Sequence, residues 1–159
     1  MNTAIIDDCV HSKALPDLVT KLLTARQESL VLYQKLAAMK PFTLTDLARH
    51  RLRQFQQALV DYLALGPFEV YQALEEQPAD SSYRQARELA RQLYTRIART
   101  TQTALAFHDR YEGELSGPAL ARLDEALSLL GESLATRIEL EDRILAAVYH
   151  SQTQTRVAA

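Results

Sequence analysis

Metal binding and proton transfer are the first chemistries to look for in a chain rich in carboxylates and basic side chains. His108 and Glu112 stand four residues apart, so a helix would carry both on one face. Two donors are too few for a metal, because structural zinc takes four ligands and catalytic zinc three. A di-iron bundle needs Glu-x-x-His elements on two helices, and the chain has none. None of His11, His50 and His150 completes a Glu-x-x-His element. The simplest account of His108 is a helix-terminal histidine beside a solvated carboxylate, with no metal and no cofactor. Cys9 is the one cysteine and has no basic residue beside it to favour the thiolate. It excludes an intramolecular disulfide. The four glycines, at 66, 113, 117 and 131, are too scattered for a phosphate-cradling loop. No catalytic residue is predicted, and the chain does not read as an enzyme.

Three charged groups remain. Glu139 and Asp142 fall on an outward face beside Arg143, which reads as a salt-bridged surface. Glu141 falls near an apolar seam, one turn after Arg137. A structural ion pair at the seam's edge and a polar contact in a central groove are both open for it. Arg84, Arg87 and Arg91 share a face while Arg96 and Arg99 drift off it, with no interleaved aromatics. A solvated helix face accounts for that better than a nucleic-acid stripe.

The elements that would hold these residues are helices. At 159 residues the chain suits a single domain. Four glycines and five prolines are too few for the frequent turns of a sheet protein. Apolar positions recur at spacings of three and four. Leu15, Leu18, Val19, Leu22, Leu30, Tyr33 and Leu36 mark a first helix over 15–39. Leu44, Leu47, Leu52, Phe55, Leu59 and Tyr62 mark a second, with Thr43 as its cap and an end at Gly66-Pro67. A short helix over 67–76 would turn Phe68, Tyr71 and Leu74 inward. A fourth helix is expected over 82–111. A fifth is expected over 117–150 with Ser116 as cap, and its stripe runs through Leu120, Leu123, Leu127, Leu130, Leu134, Ile138, Leu145 and Val148. The fold class is all-α: a mostly antiparallel up-and-down bundle of four long helices plus one short helix. The bundle is expected over 15–150, with a flexible segment at 1–14 and a disordered tail at 151–159. Asp7, Asp8 and His11 stand where a signal peptide needs a basic and then an apolar run, and no apolar stretch approaches a membrane span. A cytoplasmic protein without a membrane partner is expected. The net charge of -2 argues against direct nucleic-acid binding.

One local imbalance stands out. From Pro67 to Asp80 the charges are Glu69, Glu75, Glu76 and Asp80, with no Lys or Arg, and Asp61 lies just upstream. Tyr62, Phe68 and Tyr71 flank the patch. Aromatics rimmed by carboxylates suit a basic protein partner.

Leu59-Val-Asp-Tyr-Leu-Ala-Leu-Gly-Pro-Phe-Glu-Val-Tyr71 resembles the signature of the Rsd/AlgQ family of anti-sigma factors. The stretch from Leu22 to Tyr33, with Arg26 and Lys40-Pro41 beyond it, is similar to that family's first helix. Leu130 to Arg143 is similar to its last. Pro67 departs from a usual His and Leu22 from a frequent Trp. The resemblance implies a helical bundle that binds the primary sigma factor of bacterial RNA polymerase, mainly through sigma's C-terminal promoter-reading domain, and so favours alternative sigma factors. It implies Asp61 as the acidic contact, with Tyr62, Gly66, Phe68, Glu69 and Tyr71 belonging to the same surface, and a monomer is favoured. The alternatives are a hemerythrin-like metal- or ligand-binding bundle using His108, Glu112 and Glu141, and a helical adaptor for another basic protein.

Overall fold

The computed structural model describes the backbone of residues 3–158 and the side-chain surroundings of residues 14–154. Helix α1 spans Thr3–Ala37, α2 Asp46–Leu65, α3 Tyr71–Glu75, α4 Arg84–Tyr111 and α5 Gly117–Ala158. One turn of π-helix, Gly66–Val70, joins α2 to α3. The described residues are helical apart from their short connections. The outer helices overrun their predicted ends: α1 begins at Thr3 where a flexible segment was expected, and α5 continues through Ala158 where a disordered tail was expected. The side chains of Asp7, Asp8, Cys9 and His11 lie outside the described residues.

The N-terminal half of α1, the C-terminal end of α2, the first half of α4 and the last part of α5 share one apolar cluster. The opposite halves share the other. That pairing requires α1, α2, α4 and α5 to run alternately up and down. In the second cluster Phe55 packs edge-on against both Tyr33 and Phe107, at centroid distances of 5.7 and 6.0 Å.

The capping chemistry is partly as predicted. Ser116 accepts from the Ala119 amide at 3.2 Å and opens α5. The cap of α2 is Thr45, not Thr43, and it accepts from the Ala48 amide at 3.1 Å. Leu44 therefore precedes the helix, and it and Leu47 are exposed rather than part of the stripe. Gly66 does not end α2 in the left-handed conformation: its φ is -60°. Pro67 has no N–H for an α-type bond, and its ring would clash with the carbonyl four residues back. The wider turn accommodates it, and the Tyr71 amide donates to the Gly66 carbonyl five residues earlier.

At Gly131 a side chain would run into the Tyr33 hydroxyl, which donates to the Leu127 carbonyl at 2.6 Å. Gly131→Ala is therefore expected to lower stability by about 1–3 kcal/mol through overpacking. Urea unfolding checks this, and pairing it with Tyr33→Phe should recover part of the loss.

Candidate functional site

The two apolar clusters do not merge. A belt of polar side chains crosses the bundle between them, with at least one member from each long helix. It comprises Arg26 and Ser29 of α1, Tyr62 of α2, Thr100 and Thr101 of α4, and Arg137 and Glu141 of α5. Arg137 and Glu141 are both fully buried, with Arg137 Nε 3.3 Å from Glu141 Oε2. Arg137 Nη1 donates to the hydroxyls of Thr100 and Thr101 at 3.2 and 2.7 Å. Its Cζ lies 5.3 Å from the centre of the Tyr62 ring. Tyr62 donates to Glu141 Oε1. Arg26 Nη1 reaches Asp142 at 2.7 Å and Glu141 at 3.7 Å. Ser29 closes the belt with its hydroxyl 3.0 Å from the Ala58 carbonyl.

Burial pushes the Glu141 carboxyl above its usual range, while Arg137, the Tyr62 hydroxyl and Arg26 pull it back. Burial, with Glu141 next, pushes Tyr62 and Tyr71 strongly upward, so both remain neutral phenols. Of the two readings open for Glu141, the structure selects an ion pair, and it lies in the interior rather than at the seam's edge. The α5 seam passes through Arg137, while Ile138 is only half-buried. Asp142 pairs with Arg26 of α1 and not with Arg143.

The segment following the belt carries the sequence-predicted site. Asp61 is exposed and accepts from the Gln57 amide at 3.2 Å. Its neighbour Tyr62 is buried, because one residue is about 100° of helix rotation. Gly66 is buried against the belt: a Cβ there would meet Tyr71 Cε2 at 3.1 Å and Arg137 Nη2 at 3.3 Å. The π turn then sends Phe68 outward, 73% exposed, rather than inward. Tyr71 and Leu74 point inward as expected. Tyr62 and Tyr71 are thus core residues, and of the three aromatics of this segment Phe68 is the exposed one.

Phe68 stands at one end of a groove of about 420 Å³ between α2 and α4. Val60, Leu63 and Ala64 form one wall, and Ile97, Ala98 and Leu105 the other. Tyr94, exposed on α4, lies on the same groove and was not singled out from the sequence. Its spacing of three before the buried Ile97 carried no sign of a surface role. Asp61 precedes the groove residue Ala64 by one helical turn.

The acidic patch is partly compensated. Arg91 of α4 grips Glu75 through two bonds of 2.6 and 2.9 Å, and Lys21 of α1 stands 4.0 Å from Glu69. No carboxylate of Asp61, Glu76 or Asp80 has a cation within 4.0 Å among the described residues. Arg87 is buried and donates to the Gln77 and Pro78 carbonyls at 2.5 and 3.2 Å. Arg87 and Arg91 therefore hold the α3–α4 connection to the bundle.

His108, Asp109 and Glu112 place possible ligand atoms within 4.8 Å of one another at the surface end of α4. Glu141 is not among them, so the metal-centre alternative loses its interior ligand.

The family described as "Regulator of RNA polymerase sigma(70) subunit, Rsd/AlgQ" matches residues 11–149. The chain belongs to the Rsd/AlgQ family. Among its curated relatives is the regulator of sigma D of Yersinia enterocolitica, 35% identical over 132 residues, covering 81% of this chain and 78% of the relative. The regulator of sigma D of Pectobacterium atrosepticum is 33% identical over 135 residues, covering 83% and 88%. No solved structure matches the chain. The expected resemblance is thereby met, and the site-bearing segment lies within the matched region of this Rsd/AlgQ protein.

Breaking a buried pair leaves an uncompensated charge. Arg137→Met is expected to cost about 3–5 kcal/mol of stability. The double variant Arg137→Met/Glu141→Met should lose markedly less than the sum of the single variants. Chemical unfolding of the four members of this cycle checks it.

Proposed function

We propose that this protein is an anti-sigma factor that captures the primary sigma factor with the outer surface of the α2–α3 junction. Asp61 supplies the charge, Phe68 the apolar anchor, and the α2–α4 groove the seat for an apolar helix face. Sigma's C-terminal promoter-reading domain, with its basic residues for promoter DNA, is the complementary partner. The observation that carries the reading is the pairing of an unneutralised Asp61 with a largely exposed Phe68 at the same helix end. Large apolar side chains held in water beside a groove mark interaction surfaces. A carboxylate beside them adds the charge complementarity that selects a basic partner. Membership in a family of sigma(70) regulators supports the partner's identity.

On this reading the protein acts by mass action and not by catalysis. Sigma held here is withheld from core polymerase and promoter DNA, which leaves core enzyme for alternative sigma factors. The setting is the cytoplasm, where sigma is. No helix among the described residues is long and apolar enough to cross a membrane. The working unit is a monomer, contacting sigma and not nucleic acid.

Titration calorimetry with the cognate primary sigma factor tests this. Wild-type protein is expected to bind. Asp61→Ala and Phe68→Ala should each weaken binding by about 2 kcal/mol or more, roughly thirtyfold, with unchanged helical content. A wild-type protein with no affinity for sigma would overturn the reading, and full affinity in both variants would displace the contact from this surface.

A further inference from the structure

At the other end of α2, about 18 Å from Asp61 along the helix, the charge is reversed. Arg49, His50, Arg51 and Arg53 crowd five residues of a chain whose net charge is -2. Arg49 and Arg53 are one turn apart and share the wall of a cavity of about 240 Å³. The cavity lies between α2 and the α4–α5 connection. Its remaining lining is Leu52, Gln56, Tyr111, Gly113, Glu114 and Leu115. Gly113 turns the connection over it with φ +89°. Gln56 is buried, and its amide donates to the His108 carbonyl at 3.4 Å, which fixes that side chain in the wall.

Two guanidinium groups face one carboxylate in the lining of this cavity. Arg49 has only a loose partner, Asp46 at 3.7 Å, and Arg53 has no carboxylate within 4.0 Å among the described residues. Burial raises the Tyr111 hydroxyl while Arg110 and Arg122 pull it down, so these two further arginines also act on the cavity wall. Neither has a carboxylate within 4.0 Å among the described residues. Glu114 is the one carboxylate in the lining.

We propose that this cavity is a binding site for a small phosphate-type oxyanion, gripped by the guanidinium groups of Arg49 and Arg53. Guanidinium forks match the paired oxygens of phosphate, and two of them a turn apart can hold one group from two directions. The size selects the ligand class. The volume equals about eight waters at roughly 30 Å³ each, below the usual range for drug-sized ligands. A phosphate or pyrophosphate group fits within it, and a larger ligand would have to extend out through the mouth. Glu114 opposes any anion and so moderates the affinity. The site is separate from the sigma-binding surface and stands or falls independently of it.

Calorimetric titration at physiological salt, with inorganic phosphate and with pyrophosphate, tests the proposal. Saturable binding is expected. Arg53→Ala and the double variant Arg49→Ala/Arg53→Ala should weaken it by about tenfold or more, the loss of a charge-assisted bond. Glu114→Gln should tighten it, and that opposite sign separates an organised site from general damage. Circular dichroism confirms folding of each variant, and Arg53→Ala alone decides if the double variant does not fold. Lack of saturation at millimolar pyrophosphate, or binding indifferent to Arg53→Ala and Glu114→Gln, would overturn the proposal. So would a short single-stranded oligonucleotide binding more tightly than pyrophosphate, which would make this an open basic surface.

Discussion

Arg137 and Glu141 meet in the middle of the bundle with no water-exposed surface on either. Placing two charges there is costly unless they are paired and their remaining donors and acceptors find partners. The surrounding helices provide partners for Arg137 Nη1 and Glu141 Oε1, while Arg137 Nη2 is left without a hydrogen-bond partner. Thr100 and Thr101 accept from Arg137, Tyr62 donates to Glu141, and Arg26 adds a second cation at the edge. The partners come from three different helices, so an axial slip of α1, α2 or α4 against α5 breaks a polar contact. Leucine clusters alone would tolerate such slips. The belt therefore supplies register, and the apolar clusters on either side supply most of the stabilisation.

The same belt shapes the candidate surface. Asp61 is held outward because Tyr62, its neighbour, is held inward by Glu141. Gly66 can approach Arg137 and Tyr71 only because it has no side chain. Pro67 then excludes a regular α turn, the chain widens into a π turn, and Phe68 is displayed. Pro67 thus bears on the backbone path. The central motif reads in two layers: Tyr62, Gly66 and Tyr71 belong to the interior, and Asp61 and Phe68 to the surface.

Opposite ends of α2 also carry opposite charge. The Asp61 end is acidic and grooved, and the Arg49–Arg53 end is basic and encloses a cavity. The near-zero net charge conceals this dipolar arrangement, because composition sums over positions that the fold separates. The arginines of α4 give the reverse lesson. They look like a basic stripe in sequence, yet Arg87 is buried on two carbonyls and Arg91 is bound to Glu75.

The sequence by itself determined the helical class, the order of the long helices, the Ser116 cap and the family. Those follow from local periodicity and from residue identities, which need no knowledge of neighbours in space. It also marked Asp61 and the pairing of Arg137 with Glu141, since residues one turn apart share a helix face. Only the tertiary structure decided that this pair is interior, that Tyr62 and Tyr71 face it, and that Phe68 faces water. The period of the short helix over 67–76 groups Phe68 with Tyr71 and Leu74, but Phe68 lies inside the π turn and faces water, while the two residues after the turn keep the inward face. The groove beside Tyr94 and the cavity of Arg49 and Arg53 join residues far apart in the chain, and the packing of α2 against α4 and its connection creates both.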